Sequence, residues 1–259
     1  MILSHKFKFI FIKSAKVGST SIELMLDKVC RPEDVFTPHW TPEENLCYRN
    51  YNGVFNPFPE ILTRIRGCGS LNNIGNHHTW KNITAKIMFF ENIPAWQIKC
   101  RLPKSIWNNY YKFTIERNPW DKCVSRYFQS KGIFEPKYGK ELTFPSWFEY
   151  FENRLKTPWV TTAWGSEAPY NYPRYANPWT DEILVDKICR YENLEEELAD
   201  VFNMLRVPFG GLNDYHAKAN YRTDRTHYSE FFAEKKHQPY IEEIAKVFKK
   251  EIDLMNYKF

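Results

Sequence analysis

Three times along this chain a short apolar run passes through a polar turn into residues that recur at helical spacing, and this alternation constrains the fold most strongly. The first run has Phe7, Phe9 and Phe11 on one parity and Lys6, Lys8, Ile10 and Ile12 on the other. That pattern predicts a strand that becomes more buried toward its end. Residues 14–19 are turn-like, and Ile22, Met25, Leu26 and Val29 then follow a helical period. Thr20 and Glu23 fit a capping box, which starts the helix near Thr20 or slightly before. The second unit has a strand over 111–116, Asn118 as N-cap with Pro119 in the first turn, and Trp120, Val124 and Tyr127 on one helical face. The third has a strand over 183–189 and a helix marked by Leu194, Leu198, Val201 and Leu205. A closing helix carries Ile241, Ile244, Phe248 and Ile252, with Glu early and Lys late, as the helix dipole favours. Repeated strand–helix units predict an α/β fold around a central, mainly parallel sheet.

Between these units the pattern weakens. Residues 31–75 show no clear period, and 77–92 hold a histidine pair and a short helix-like stretch. Residues 131–180 are rich in Pro and aromatics: Phe148, Phe151 and Leu155 suggest one helix, while Trp159, Trp164, Tyr170, Tyr172, Tyr175 and Trp179 stand in a loop-like context. These aromatics have two readings: a face for a saccharide, supported by Arg154, Lys156 and Arg174, or filling for the core. The 259 residues suit one or two domains of about 150 residues each, and we read a single domain, 1–259, with 131–180 as an acceptor-side insertion.

Composition excludes several classes. Hydrophobic residues at 43% and charged residues at 26% describe a globular chain, not a disordered one. The net charge of +5 and pI near 8.7 fall short of the clustered basicity, with pI above about 9, that marks nucleic-acid binders, so no nucleic-acid partner is expected. The early apolar run 9–12, bounded by Lys8 and Lys13, is far shorter than the about 20 residues of a membrane span. No signal-peptide pattern is visible, so a soluble, cytoplasmic protein is expected. The six cysteines form no C-x-x-C pair and read as reduced, buried thiols.

Four places carry candidate chemistry. Residues 13–21, Lys-Ser-Ala-Lys-Val-Gly-Ser-Thr-Ser, lie between strand and helix, where first-turn N–H groups attract anions. Ser19, Thr20 and Ser21 add hydroxyls and Lys16 a charge, but Lys16 precedes Gly18, so the order of a P-loop is not met. Arg117 leaves the second strand on the edge where open α/β sheets bind ligands, with Lys122 and Ser125 following on the helix. The pair His77-His78 offers a general base near neutral pH, and no further ligand at a recognised spacing makes it a metal site. Residues 216–228 interleave Lys218, Arg222 and Arg225 with Tyr221 and Tyr228, a pattern suited to closing over a nucleotide. Each of these also has a plain structural reading: a helix cap, a surface arginine, a packed histidine, a solvated connection.

Taken together the segments resemble a known family. Phe9-Ile10-Phe11-Ile12 running into Ala15-Lys16-Val17-Gly18-Ser19-Thr20-Ser21-Ile22-Glu23 is similar to the 5′-phosphosulfate loop of sulfotransferases, in the branch of the heparan sulfate 2-O- and chondroitin/dermatan enzymes and their bacterial and viral relatives. Residues 112–120, continuing to Ser125-Arg126-Tyr127, resemble that family's 3′-phosphate motif, and His77-His78-Thr79 resembles the region of its catalytic histidine. Arg190-Tyr191-Glu192-Asn193-Leu194 and Asn256-Tyr257-Lys258-Phe259 also look familial. The resemblance implies a P-loop-like, three-layer α/β/α fold, 3′-phosphoadenosine 5′-phosphosulfate (PAPS) as co-substrate with 3′-phosphoadenosine 5′-phosphate (PAP) as product, and no metal. It implies that Lys16 is catalytic, that Val17, Gly18, Ser19, Thr20 and Ser21 complete the 5′ loop, that Arg117 and Ser125 hold the 3′-phosphate, and that His77 or His78 is the base. Lys218, Tyr221 and Arg222 are read as nucleotide contacts, and the acceptor as a hydroxyl, most naturally of a carbohydrate. The alternatives are a catalytically silent nucleotide- or glycan-binding protein, and a P-loop-type kinase, against which the missing Gly-Lys-[Ser/Thr] stands.

Overall fold

The computed structural model describes residues 1–37, 89, 91–155, 169–212 and 227–259. Its centre is a five-stranded sheet in the order β3-β1-β2-β4-β5, with β1 Ile2–Ser4, β2 Phe9–Phe11, β3 Val35–Phe36, β4 Tyr111–Glu116 and β5 Lys187–Arg190. β2, β4 and β5 run parallel, with Phe11 opposite Phe113 and Ile115 opposite Cys189. β1 pairs antiparallel with both β2 and β3, so the expected parallel character ends at β2. The first strand is also shorter than its alternation suggested. Ile2–Ser4 folds back on Phe9–Phe11 as a hairpin, and Lys8 turns the chain at φ 53°. Three residues are too few to display a period, which hid β1 in the sequence.

Alternation across the strands loads both faces of the sheet. Phe9, Phe11, Phe113 and Ile115 pack with Ile22, Met25 and Leu26 of α1 (Ser19–Asp27) and with Leu198, Val201 and Phe202 of α7 (Leu194–Leu205). Leu3, Ile10 and Ile12 face the other way, onto Trp96 and Ile98 of α2 (Ala95–Arg101), Trp107 of α3 (Lys104–Asn109) and Tyr175 of α6 (Tyr172–Tyr175). A third cluster joins α4 (Pro119–Tyr138), α5 (Phe144–Leu155), α8 (Tyr228–Ala233), α9 (Pro239–Val247) and α10 (Lys249–Met255). Helices therefore surround a sheet that is parallel at its centre.

The described aromatics of residues 131–180 mostly fill this core. Trp147 stacks on Phe151 with centroids 5.6 Å apart, Phe144 packs on Phe232, Tyr170 meets Phe248, and Trp179 meets Trp96. The single closing helix read from the sequence is two, α9 and α10, which break at Phe248. Cys123 and Cys189 are buried thiols, and burial raises the Cys189 thiol to about 12. Among the described residues no helix is long and apolar enough to cross a membrane.

Candidate functional site

The parallel register of β2 and β4 decides what the two phosphate-type motifs can do. Both strands end on the same edge of the sheet, so residues 12–18 and the start of α4 emerge as neighbours, with Ile12 N–H donating to the Phe113 carbonyl at 2.9 Å. The Ser14 hydroxyl meets that of Thr114 at 2.9 Å, and Ser19 Oγ donates to the Ser14 carbonyl at 2.9 Å, closing the loop on itself. Val17 is buried, while Lys16 at φ 62° and Gly18 at φ 71° adopt left-handed backbone on either side of it. Helix α1 starts from Gly18, whose carbonyl accepts from the N–H of Ser21 at 3.0 Å.

This start corrects the capping box: Gly18 is the N-cap, without a side-chain cap. Glu23 is instead fully buried and salt-bridged to Lys13 at 2.7 Å. Lys13 also pairs with Glu91 at 3.0 Å, so of the two loop lysines it is Lys16 that serves the loop's outer side. Val17 and Ser19 can offer a ligand their backbone N–H groups, since one side chain is in the core and the other hydroxyl is spent on Ser14. Thr20 and Ser21 are half-buried in the first turn, where the Ser21 N–H is already taken by the Gly18 carbonyl and the earlier N–H groups lack intrahelical acceptors.

Arg117 closes over this loop. Its Nη1 donates to the Lys16 carbonyl at 3.3 Å, its Nε and Nη2 hold Asp121 Oδ2 at 2.8 and 2.6 Å, and its guanidinium lies 4.3 Å from the Tyr191 ring centroid. Tyr191 also borders Gly18: a Cβ added there would come within 3.2 Å of Tyr191 Cε2. Asp121, Ser125 and Gln129 follow at four-residue steps and share one face of α4. The Lys16 ammonium reaches the far end of that row, donating to Gln129 Oε1 at 3.3 Å, and Arg126 Nη1 donates to the same oxygen at 2.7 Å. The Lys16 backbone beside Arg117 and its ammonium beside Gln129 thus bracket half-buried Ser125.

Beneath the loop lies a buried charge network. Lys122 Nζ bonds Glu116 Oε1 at 2.5 Å and Glu251 Oε2 at 2.6 Å, all three side chains being fully buried. Lys122, which the sequence sets one turn before Ser125 on the helix, is thus committed to the interior. Tyr175 donates to Glu116 Oε2 at 3.0 Å. Arg174, 2% exposed, donates to Asn171 and to the Asn92 carbonyl. It cannot serve a saccharide on the surface, and the same burial lowers its guanidinium to about 10. Asn171 bonds both main-chain groups of Ala15. Gln129, Arg126, Asn171 and Tyr191 were not singled out as site residues by the sequence, although Arg126, within 125–127, and Tyr191, within 190–194, lay in segments that looked familial.

The familial segments at 190–194 and 256–259 support the second motif from below. Glu192 accepts from Asn118 N–H at 2.6 Å and from the Tyr257 hydroxyl at 3.2 Å, and Arg190 donates to the Met255 carbonyl. Tyr228 accepts from Asn118 Nδ2 at 3.1 Å. His77, His78, Lys218, Tyr221 and Arg222 lie outside the described residues, as do Trp159 and Trp164. Among the described residues no group of three His, Cys, Asp or Glu forms a metal site.

No protein-family model matches the chain. A protein of Archaeoglobus fulgidus, described as uncharacterised, is 34% identical over 117 residues, which make up 45% of this chain and 84% of that protein. The chain belongs to one family with this archaeal protein. Among solved structures, a sulfotransferase from Alicyclobacillus acidocaldarius superimposes with a TM-score of 0.39 at 13% identity, covering 92% of this chain and 94% of that one. A score of 0.39 does not establish a common fold.

Proposed function

We propose that this chain is a PAPS-dependent sulfotransferase, a single P-loop-like α/β/α domain that moves a sulfuryl group from PAPS to an acceptor hydroxyl by in-line displacement. The observation that carries the reading is the contact of Arg117 with the Lys16 carbonyl, which joins two anion-binding motifs on one sheet edge. A 3′,5′-bisphosphate needs two cationic sites at a fixed separation. The first is the α1 N-terminus with Lys16, Gly18, Ser19, Thr20 and Ser21; the second is Arg117 with Ser125, oriented by Asp121. The resemblance of both motifs to the sulfotransferase loops supports the same assignment.

In this reading the Lys16 ammonium offsets the charge that develops on the leaving phosphate oxygen. His77 or His78 takes the proton of the attacking hydroxyl. Holding donor and acceptor in line supplies much of the rate. The acceptor side falls to residues 131–180. With Arg174 and Tyr175 committed to the interior, a saccharide acceptor rests on the family resemblance.

The test is a thermal-shift titration with PAP beside AMP and ATP with magnesium, followed by turnover of labelled PAPS. PAP raises the melting temperature in proportion to the logarithm of its concentration, and AMP does so weakly. Lys16→Ala lowers turnover by roughly 10²- to 10³-fold, the scale of one lost charge-stabilising group, with PAP affinity nearly kept. Arg117→Ala weakens PAP first. Equal turnover in wild type and Lys16→Ala, or stabilisation by ATP alone, overturns the assignment.

A further inference from the structure

Ala15 immediately precedes Lys16, and one side chain takes both of its main-chain polar groups. Its N–H donates to Asn171 Oδ1 at 2.8 Å, and its carbonyl accepts from Asn171 Nδ2 at 3.1 Å. The same amide accepts from Arg174 Nε at 3.1 Å and donates to Glu116 Oε1 at 3.2 Å. An Asn side chain has two donor hydrogens and two acceptor positions, so Asn171 is saturated, and it is fully buried. Its own N–H donates to Glu251 Oε1 at 2.5 Å, which fixes the side chain from behind.

Lys16 stands at φ 62°, a backbone region that non-glycine residues seldom adopt and that persists where the surroundings impose it. Asn171 supplies that restraint one residue upstream. We propose that Asn171 is the positioning residue of the anion loop: it sets the path of Ala15, and so the direction in which Lys16 leaves the sheet. It also makes residues 170–176 part of the donor side of the molecule. The functional half of this inference rests on the loop being the donor site; the structural half does not.

Tyr175 is the control, because it bonds the same Glu116 without touching the loop. The experiment compares wild type, Asn171→Ala, Asn171→Asp and Tyr175→Phe by amide hydrogen exchange and by PAP titration. In the wild type the Ala15 amide exchanges as slowly as the sheet amide of Ile12, although it lies in a loop. Asn171→Ala speeds exchange over residues 14–18 and raises the PAP Kd, each by about tenfold beyond any global loss, the scale of one buried hydrogen bond. Asn171→Asp follows it, because a carboxylate then faces both the Ala15 carbonyl and Glu116. Tyr175→Phe lowers the melting temperature and changes neither readout. Fast exchange at Ala15 in the wild type, or equal effects of Asn171→Ala and Tyr175→Phe, overturns the proposal. A wild type that ignores PAP while the exchange results hold refutes the donor reading and upholds the clamp.

Discussion

Gly18 shows how closely the loop between β2 and α1 is fitted to its surroundings. Its φ of 71° favours glycine, and a Cβ added there would come within 3.2 Å of Tyr191 Cε2, so the ring would have to give way by a few tenths of an ångström. Tyr191 in turn carries the Arg117 guanidinium, so a methyl group at position 18 pushes on Arg117 as well as on the loop. Gly18→Ala is expected to cost about 1–2 kcal/mol from backbone strain alone and to weaken PAP binding. Calorimetric melting and a PAP titration check this; a variant with wild-type values in both means that the Tyr191 ring simply moves aside. Residues of this kind divide by how they announce themselves. Lys16, Gly18 and Arg117 follow strands, at positions where any reader of an α/β sequence looks. Asn171 and Gln129 act through contacts with residues distant in sequence, and nothing local in the chain distinguishes them from other polar residues.

Among the elements, α4 was the most legible at its start. Asn118 accepts from Trp120 N–H at 3.1 Å and Asp121 N–H at 3.4 Å, the cap that Asn before Pro foretells. It does more than cap, because its Nδ2 donates to the Tyr228 hydroxyl at 3.1 Å and the Lys258 carbonyl at 3.2 Å, tying α4 to α8 and the chain terminus. Asn118→Ala is therefore expected at the upper end of the range for a lost cap, about 2 kcal/mol, and Asn118→Ser, which keeps a cap oxygen, at about half of that. Urea unfolding of the two variants separates the contributions, and equal losses would assign the whole effect to the tertiary contacts. The start of α1 at Ser19 agrees with its expected place, but its cap was misassigned because Thr20 and Glu23 have the spacing of a capping box, while a buried lysine competes for Glu23. The break between α9 and α10 was invisible because Ile241, Ile244, Phe248 and Ile252 keep their period across it. Periodicity reports which face is buried, and says little about where the backbone bends within that face.

At the scale of the molecule, the buried charges of β4, α4, α6 and α10 make stability depend on pH. Two carboxylates, Glu116 and Glu251, face two cations, Lys122 and Arg174, and the hydroxyls of Tyr170 and Tyr175 complete the surroundings. Burial, with the charge of Glu116 second, raises the Glu251 carboxyl to about 7. The unfolded chain releases that proton near the ordinary carboxylate value of 4.5. Between pH 4.5 and 7 the native state thus holds a proton that the unfolded state has lost, so this group's contribution falls as pH rises and levels off above 7. A one-proton difference is worth about 1.4 kcal/mol per pH unit, which makes the total a few kcal/mol. Glu251→Gln does not titrate. It is expected to remove the decline between pH 5 and 7 from a plot of melting temperature against pH, whatever its effect on stability at any one pH. A slope unchanged by Glu251→Gln would move the titration to another group. A slope that vanishes would identify Glu251, which accepts hydrogen bonds from the backbone of Asn171 and Tyr172, as the point where protonation reaches the support of the loop between β2 and α1. Loop exchange and PAP affinity would then vary with pH across the same interval.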